Sequence, residues 1–253
     1  MKRSTQKGDK SLFALCRLST IALFFAAAPL RAQYTSHTTW PVVPAPEAGV
    51  AIDGDLSDWD TSGGMFISKN IKAGLCARSA WAYAMHDRDY LYLAFRVSDD
   101  TPMQNTVDPE IMPGKGWRGD CIQVRLNPGR ACHLTTWWYT TDQVPALHVA
   151  YAKDGKALGG AARQLVYKGD HQFEDNAAMA FAAFESPSSG YVQEMRVPWA
   201  LITTDGAPPS GGELGAALEI FHNGVRTVDL LKPGVTNRER IYGQPNAWGT
   251  ATL

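Results

Sequence analysis

Alternation of apolar and polar residues, and not a helical period, dominates this chain. In Tyr90-Leu-Tyr-Leu-Ala-Phe-Arg-Val97 the residues Leu91, Leu93, Phe95 and Val97 share one face of an extended segment. In Asp120-Cys-Ile-Gln-Val-Arg-Leu126, Ile122, Val124 and Leu126 point one way, and Cys121, Gln123 and Arg125 the other. A period of two marks a strand with one buried face, because successive Cβ atoms alternate across the pleat. Further strands are expected at 49–52, 79–85, 132–140, 146–151, 164–167, 177–184, 191–197 and 214–221. Turn formers separate them, among them Asp53-Gly54, Asn127-Pro-Gly129 and Lys153-Asp-Gly155. A short helical turn is expected at 197–202, with Pro198 near its start, where a missing N–H costs little. Many short strands at this spacing predict an all-β fold. The expected form is an antiparallel two-sheet β-sandwich, jelly-roll or immunoglobulin-like, with one or two short helical turns.

The N-terminus carries a different signal. Lys2, Arg3, Lys7 and Lys10 precede an apolar run from Leu18 to Leu30 that ends at Arg31-Ala32. A basic region, a short apolar region and a small residue at the exit describe a secretory signal peptide, and the run is too short to span a bilayer. The expected organisation is a signal peptide at 1–32, removed on export, a proline-rich lead-in at 33–48 and one domain at 49–253. The expected location is secreted or periplasmic, with no membrane attachment after cleavage. The removed segment holds six basic residues and one acidic residue, so 18 basic and 24 acidic residues remain, a formal net charge of −6. An acidic chain repels a phosphate backbone, which excludes nucleic acid as the expected partner. Cys76, Cys121 and Cys132 remain after cleavage, so an oxidising compartment permits one disulfide and leaves one thiol over. Cys121 and Cys132 can face each other across a hairpin, or Cys121 can serve as a small buried hydrophobe.

Catalytic signatures are missing. The six histidines are scattered and form no HExxH, and no GxSxG, Walker loop or dinucleotide fingerprint appears. Nothing among the eight glutamates selects the carboxylate pair that glycoside hydrolysis needs. The chain is therefore expected not to be an enzyme; were it active, it would be a glycoside hydrolase acting on O-glycosyl bonds. Acidic clusters invite a calcium reading, since calcium takes six to eight oxygen ligands that loops supply readily. Asp53 and Asp55 lie in one turn, Asp99 and Asp100 in another, and Asp120 follows Trp117. The alternative is that these aspartates form turns by bonding their own backbone.

Five segments in order resemble the family 9 carbohydrate-binding modules: Ile52-Asp-Gly-Asp-Leu-Ser-Asp-Trp59, 89–100, Trp117-Arg-Gly-Asp-Cys-Ile-Gln-Val124, 191–202 and Trp248-Gly249. The resemblance implies a β-sandwich with structural calcium and a sugar site built on aromatic rings. Characterised members are appended to xylanases and hold the reducing end of a glycan between two tryptophans. Trp117 and Trp248 match the two relevant regions, with Trp138 a further aromatic candidate. Arg125, Gln123 and Glu194 are expected to project opposite the apolar stripe, within reach of ring hydroxyls. Trp59 and Trp199 are assigned to the core. The chain departs from the pattern in Gln123, where many members carry glutamate, and it is expected to carry no attached catalytic domain. The implied partner is an oligo- or polysaccharide of the xylan or cellulose type, whose breakdown the module would support beside a separate glycoside hydrolase. Relatives with the same sandwich bind haem, which here would need an axial pair: His86, or a methionine such as Met85, Met103 or Met195, with a second ligand. A further alternative is a scaffold domain without sugar affinity.

Overall fold

The computed structural model describes residues 36–68, 78–152, 163–169, 178–183, 190–222, 224–235 and 241–253. The chain divides into Met1–Ala32 and Gln33–Leu253. The first unit, with the export expectation that falls on it, lies outside the described residues, as does Cys76. Among the described residues no helix is long and apolar enough to cross a membrane.

Fourteen strands follow in chain order among the described residues. They are β1 (Thr39–Pro41), β2 (Val43–Pro44), β3 (Met65–Ser68), β4 (Ser79–His86), β5 (Tyr90–Ser98), β6 (Cys121–Asn127) and β7 (Cys132–Tyr139). Then come β8 (Val144–Tyr151), β9 (Arg163–Lys168), β10 (Ala178–Ala183), β11 (Tyr191–Pro198), β12 (Glu213–His222), β13 (Val225–Asp229) and β14 (Gly249–Thr252). One sheet runs β1-β14-β12-β6-β7-β8-β9, with β13 continuing the β14 edge of β12. The other runs β10-β11-β5-β4-β2, with β3 also on β4. Pairing is antiparallel except for β1 on β14 and β2 on β4. The expected two-sheet sandwich is therefore the fold, with parallel pairing confined to two short N-terminal strands. An α-helical turn, α1 (Trp199–Ile202), follows Pro198 as expected.

The core lies between the sheets and is built from the alternating residues. Leu91, Leu93, Phe95 and Val97 of β5 face Ile122, Val124 and Leu126 of β6, joined by Leu134, Leu147, Met195, Leu218 and Ile220, and all are buried. Burying side chains of this size supplies roughly 1.5–3 kcal/mol each against an exposed position, the main favourable contribution to folding. Trp199 fills the same core and Trp59 lies under the turns that follow Val50, as assigned.

Two expectations change. The residues at 49–52 are not a strand, and the described part of the proline-rich lead-in, 36–48, contributes the strands β1 and β2. β1 joins one sheet and β2 the other, while Trp40 is 1% exposed and its ring centroid lies 6.3 Å from that of Phe95. Proline lacks the N–H that an interior strand must donate, so it belongs at the edges where these strands lie. Asp229, fully buried, ties the segment down by accepting the His37 N–H at 2.7 Å and facing its Nδ1 at 3.1 Å.

Candidate functional site

The outward face of the eight-stranded sheet carries polar side chains in two adjacent rows, and the register defines both. In the first row Glu219 of β12 stands beside Gln123 of β6, Gln123 beside Thr135 of β7, and Thr135 beside His148 of β8. In the second, Ala217 stands beside Arg125, Arg125 beside His133, and His133 beside Ala150. Apolar clusters close both ends. One gathers Val107, Cys121, Trp137, Tyr139, Ala146 and Phe221; the other gathers Ala131, Ala152, Ala217, Val228, Ile241 and Trp248.

The polar groups form one network. Arg125 Nη2 donates to Glu219 Oε2 at 2.7 Å and to Gln123 Oε1 at 3.0 Å. Gln123 Nε2 donates to Thr135 Oγ1 at 3.2 Å, and Thr135 Oγ1 lies 3.3 Å from His133 Nε2. Arg226 Nη1 of β13 approaches Glu219 Oε1 at 3.4 Å. Arg125 and Glu219 are each 1% exposed, which makes this a buried ion pair of the kind that is costly to break. Burial draws the Arg125 basicity down and Glu219 opposes it. Burial, then the charge of Arg125 and the neighbouring His148, hold the His133 ring well below the ordinary histidine range, so it is neutral at pH 7. Arg125 Nε and Nη1 are buried with no hydrogen-bond partner. A row of fixed donors and acceptors suits a ligand that presents several hydroxyl oxygens at fixed spacing.

A segment between β5 and β6 brings an aromatic ring to this face. Its 3₁₀ turn, Pro113–Arg118, is seated by Asn105, whose Nδ2 donates to the carbonyls of Gly116 at 2.7 Å and Asp120 at 3.1 Å. Trp137 beneath it donates its indole N–H to the Val107 carbonyl at 2.9 Å. Gly116 lies flat on that indole: a Cβ there would stand 2.5 Å from a ring carbon, so only glycine allows the contact. A Cβ at Gly114 would lie 3.9 Å from the ring of His148, which places the turn at the end of the first polar row. Trp117 is thereby held at the margin of the rows, 44% exposed, with the Lys115 ammonium 5.9 Å and the Arg118 guanidinium 6.0 Å from its ring centre.

Gln123 and Arg125 share this network, Trp117 stands on the turn at the end of the first row, and the other residues named from the sequence lie apart from them. Trp248 packs beyond Ala217 on the same face, but it is fully buried and donates its indole N–H to the Ile241 carbonyl at 2.7 Å. An indole committed to a cluster offers no face for stacking, so Trp117 and Trp248 do not form an open two-ring clamp. Trp138 alternates onto the opposite side of β7 from His133, Thr135 and Trp137 and lies outside the rows. Glu194 belongs to β11 of the other sheet, where it is buried and accepts the N–H groups of Asp53 at 2.8 Å and Gly54 at 2.6 Å. Burial pushes its carboxyl pKa up against those two N–H donors. Parity along its strand was legible, but sequence does not say which sheet a strand joins.

The aspartates are spread among separate tasks. Asp53 accepts the Asp55 N–H, Asp55 accepts the Ser57 N–H, and Asp99 accepts from Thr101 and faces His222 Nδ1 at 3.2 Å. Asp100 pairs with Arg78 at 2.7 Å, and Asp120 accepts the Gln104 N–H at 2.7 Å. Among the described residues no three histidine, cysteine or acidic side chains converge as a metal-holding group. Cys121 stands opposite Phe221 and Cys132 opposite Leu126, on different faces, and both thiols are free. They do not face each other across the hairpin. Of the haem-ligand candidates, Met195 fills the core and Met85 Sδ accepts the Asp60 N–H at 3.3 Å, so both are committed to packing. Glu219, Thr135, His133, His148 and Arg226 were not singled out from the sequence. The signal was present for Glu219, which alternates with Leu218 and Ile220.

No curated protein sequence matches this chain. Among solved structures, a carbohydrate binding module family 9 from Caldicellulosiruptor kristjanssonii in complex with glucose is similar at 15% identity, over 85% of this chain and 95% of that one, with a TM-score of 0.52. The same module in complex with cellotriose is also 15% identical, over 85% and 93% of the two chains, with a TM-score of 0.53. A structure from Bacteroides uniformis ATCC 8492 is 11% identical over 86% and 99%, with a TM-score of 0.54. At these identities the likeness shows the sandwich. The family model described as carbohydrate family 9 binding domain-like matches residues 52–253, and the chain belongs to that family of binding domains.

Proposed function

We propose that this protein is a non-catalytic module that binds a glycan on the outward face of its eight-stranded sheet. One observation carries the reading: the polar network Glu219–Arg125–Gln123–Thr135–His133 lines the same sheet face as the turn that holds the exposed Trp117 indole. Sugar rings present apolar C–H faces that lie on aromatic surfaces, and their hydroxyls pair with fixed planar groups. Trp117 supplies the first contact and the Arg125–Gln123–Glu219 triad the second. The relatives in complex with glucose and cellotriose support a glucan- or xylan-type ligand for this chain as well. The N-terminal pattern supports an exported module that serves a separate glycoside hydrolase in polysaccharide breakdown. The test is titration of the purified protein with glucose and with cello- and xylo-oligosaccharides, by calorimetry and indole fluorescence. Saturable binding that Trp117→Ala and Arg125→Met each weaken is the expected result; flat titrations across a broad glycan array overturn the proposal.

A further inference from the structure

The outward face of the six-stranded sheet keeps an aromatic strip open, and the register fixes its members. Phe66 of β3 stands beside Trp81 of β4, and Trp81 beside Arg96 of β5. Their chain neighbours Met65, Ile67, Ala80, Ala82, Phe95 and Val97 face the core, so these three side chains point outward. The next row, Tyr83, Ala94 and Glu194, lies under the 50–59 turns, which cover it through Val50, Leu56, Trp59 and the Glu194 hydrogen bonds. Trp81 escapes that cover: it is 42% exposed although β4 lies inside the sheet, between β3 and β5. The indole is nonetheless supported. It lies parallel to the Tyr83 ring within 6°, at 6.3 Å between centres, and 5.3 Å from Phe66. Tyr83 is held in turn, because a Cβ at Gly64 would stand 2.5 Å from its ring. Arg96 is exposed beside the indole, and its charge reaches the Tyr83 hydroxyl.

We infer that this strip is a second glycan contact, on the sheet opposite the Trp117 turn, with a sugar ring against the Trp81 indole and its hydroxyls on the Arg96 guanidinium. The inference goes beyond the Trp117 face and does not require it. The strip is too small for a stable protein partner. A fully buried aromatic side chain removes about 150–250 Å² from water, so this indole and the part-exposed Phe66 offer on the order of 150 Å². A specific protein interface takes about 800 Å² from each partner. A sugar ring needs only an apolar patch with donors at its edge, and the guanidinium supplies several donors in one plane. The outward faces of the two sheets point away from each other, so the module would engage separate chains in a swollen polysaccharide and gain affinity through effective concentration.

The experiment measures depletion isotherms of the purified protein on amorphous cellulose and on insoluble xylan, with sedimentation velocity alongside. The variants are Trp81→Ala, Trp81→Tyr, Arg96→Met, Trp117→Ala and the double variant Trp81→Ala/Trp117→Ala. Trp81→Ala should weaken binding to the preferred matrix about tenfold or more, as loss of a second linked contact does. Trp81→Tyr should retain most of the affinity, Arg96→Met should lose part of it, and Trp117→Ala should keep a residue of binding that the double variant lacks. Parental binding by both Trp81→Ala and Arg96→Met overturns the inference and leaves the Trp117 face standing. Parental binding by Trp117→Ala, with Trp81→Ala impaired, removes the Trp117 face and sustains the inference. A parent dimer that Trp81→Ala dissociates overturns the glycan as occupant and makes the strip a contact between copies. A parent that binds neither matrix overturns both readings.

Discussion

The Arg125–Glu219 pair gives the sharpest test of the architecture of this face. The atoms are 2.7 Å apart and each side chain is 2% exposed. Taking one partner from a buried pair strands the other charge, at about 3–5 kcal/mol. Glu219→Gln keeps an acceptor oxygen but removes the charge, so we expect it near the low end, about 3 kcal/mol. For a domain of this length each kcal/mol moves Tm by roughly 2–4 °C, which predicts a fall of roughly 6–12 °C. Arg125→Met should cost less than Glu219→Gln, because Glu219 keeps Arg226 at 3.4 Å. The double variant Arg125→Met/Glu219→Met should be the informative one. Replacing both ions by apolar groups of similar volume is often nearly neutral. Urea unfolding of the parent, Arg125→Met, Glu219→Met and the double variant closes a double-mutant cycle, with an expected coupling of about 1.5–3 kcal/mol. Strict additivity, or a Glu219→Gln variant as stable as the parent, would refute the reading of this pair as a buried and interdependent charge network.

The two tryptophans should separate by assay. Trp117→Ala should change stability by less than about 0.5 kcal/mol and abolish the fluorescence response to ligand, whereas Trp248→Ala should cost about 3–5 kcal/mol by urea unfolding. Gly116→Ala forces a methyl group against the buried Trp137 ring, so it should lift the turn and weaken ligand binding more than it lowers Tm. Glu194 has its carboxyl pKa raised, chiefly by burial, from an ordinary value of 4.5. Its contribution to stability is therefore full below about pH 4.5 and declines as pH rises through the raised value. The stability difference between the parent and Glu194→Gln, measured by urea unfolding from pH 4 to pH 7, should shift against the parent as pH rises; a difference independent of pH would contradict the assignment. Cys121 and Cys132 should resist a thiol reagent in the native protein and react after unfolding. Burial pushes the Cys132 thiol up to about 12 and that of Cys121 well above its usual range.

Much of this protein was determined locally. The alternation in 90–97 and 120–126 fixed which residues of β5 and β6 turn inward, because a strand cannot rotate its side chains without losing its register. The same parity placed Gln123 and Arg125 on the outward side, and Pro198 marked the start of the helical turn. What sequence could not supply was partnership between distant segments. Glu194 and Arg125 both sit opposite an apolar stripe, yet one serves the 53–54 turn on one sheet and the other pairs with Glu219 on the opposite sheet. Trp117 and Trp248 occupy similar loop positions, yet Gly116 lifts one to the surface while Ile241, Ala217 and Val228 enclose the other. The prolines of 41–46 argued for an extended segment, and only the edges of two finished sheets could make strands of it. Strand parity is a property of neighbouring residues, so the sequence carries it. Sheet membership, ion pairing and the exposure of an aromatic ring depend on contacts between residues tens of positions apart, and the assembled sandwich alone decides them.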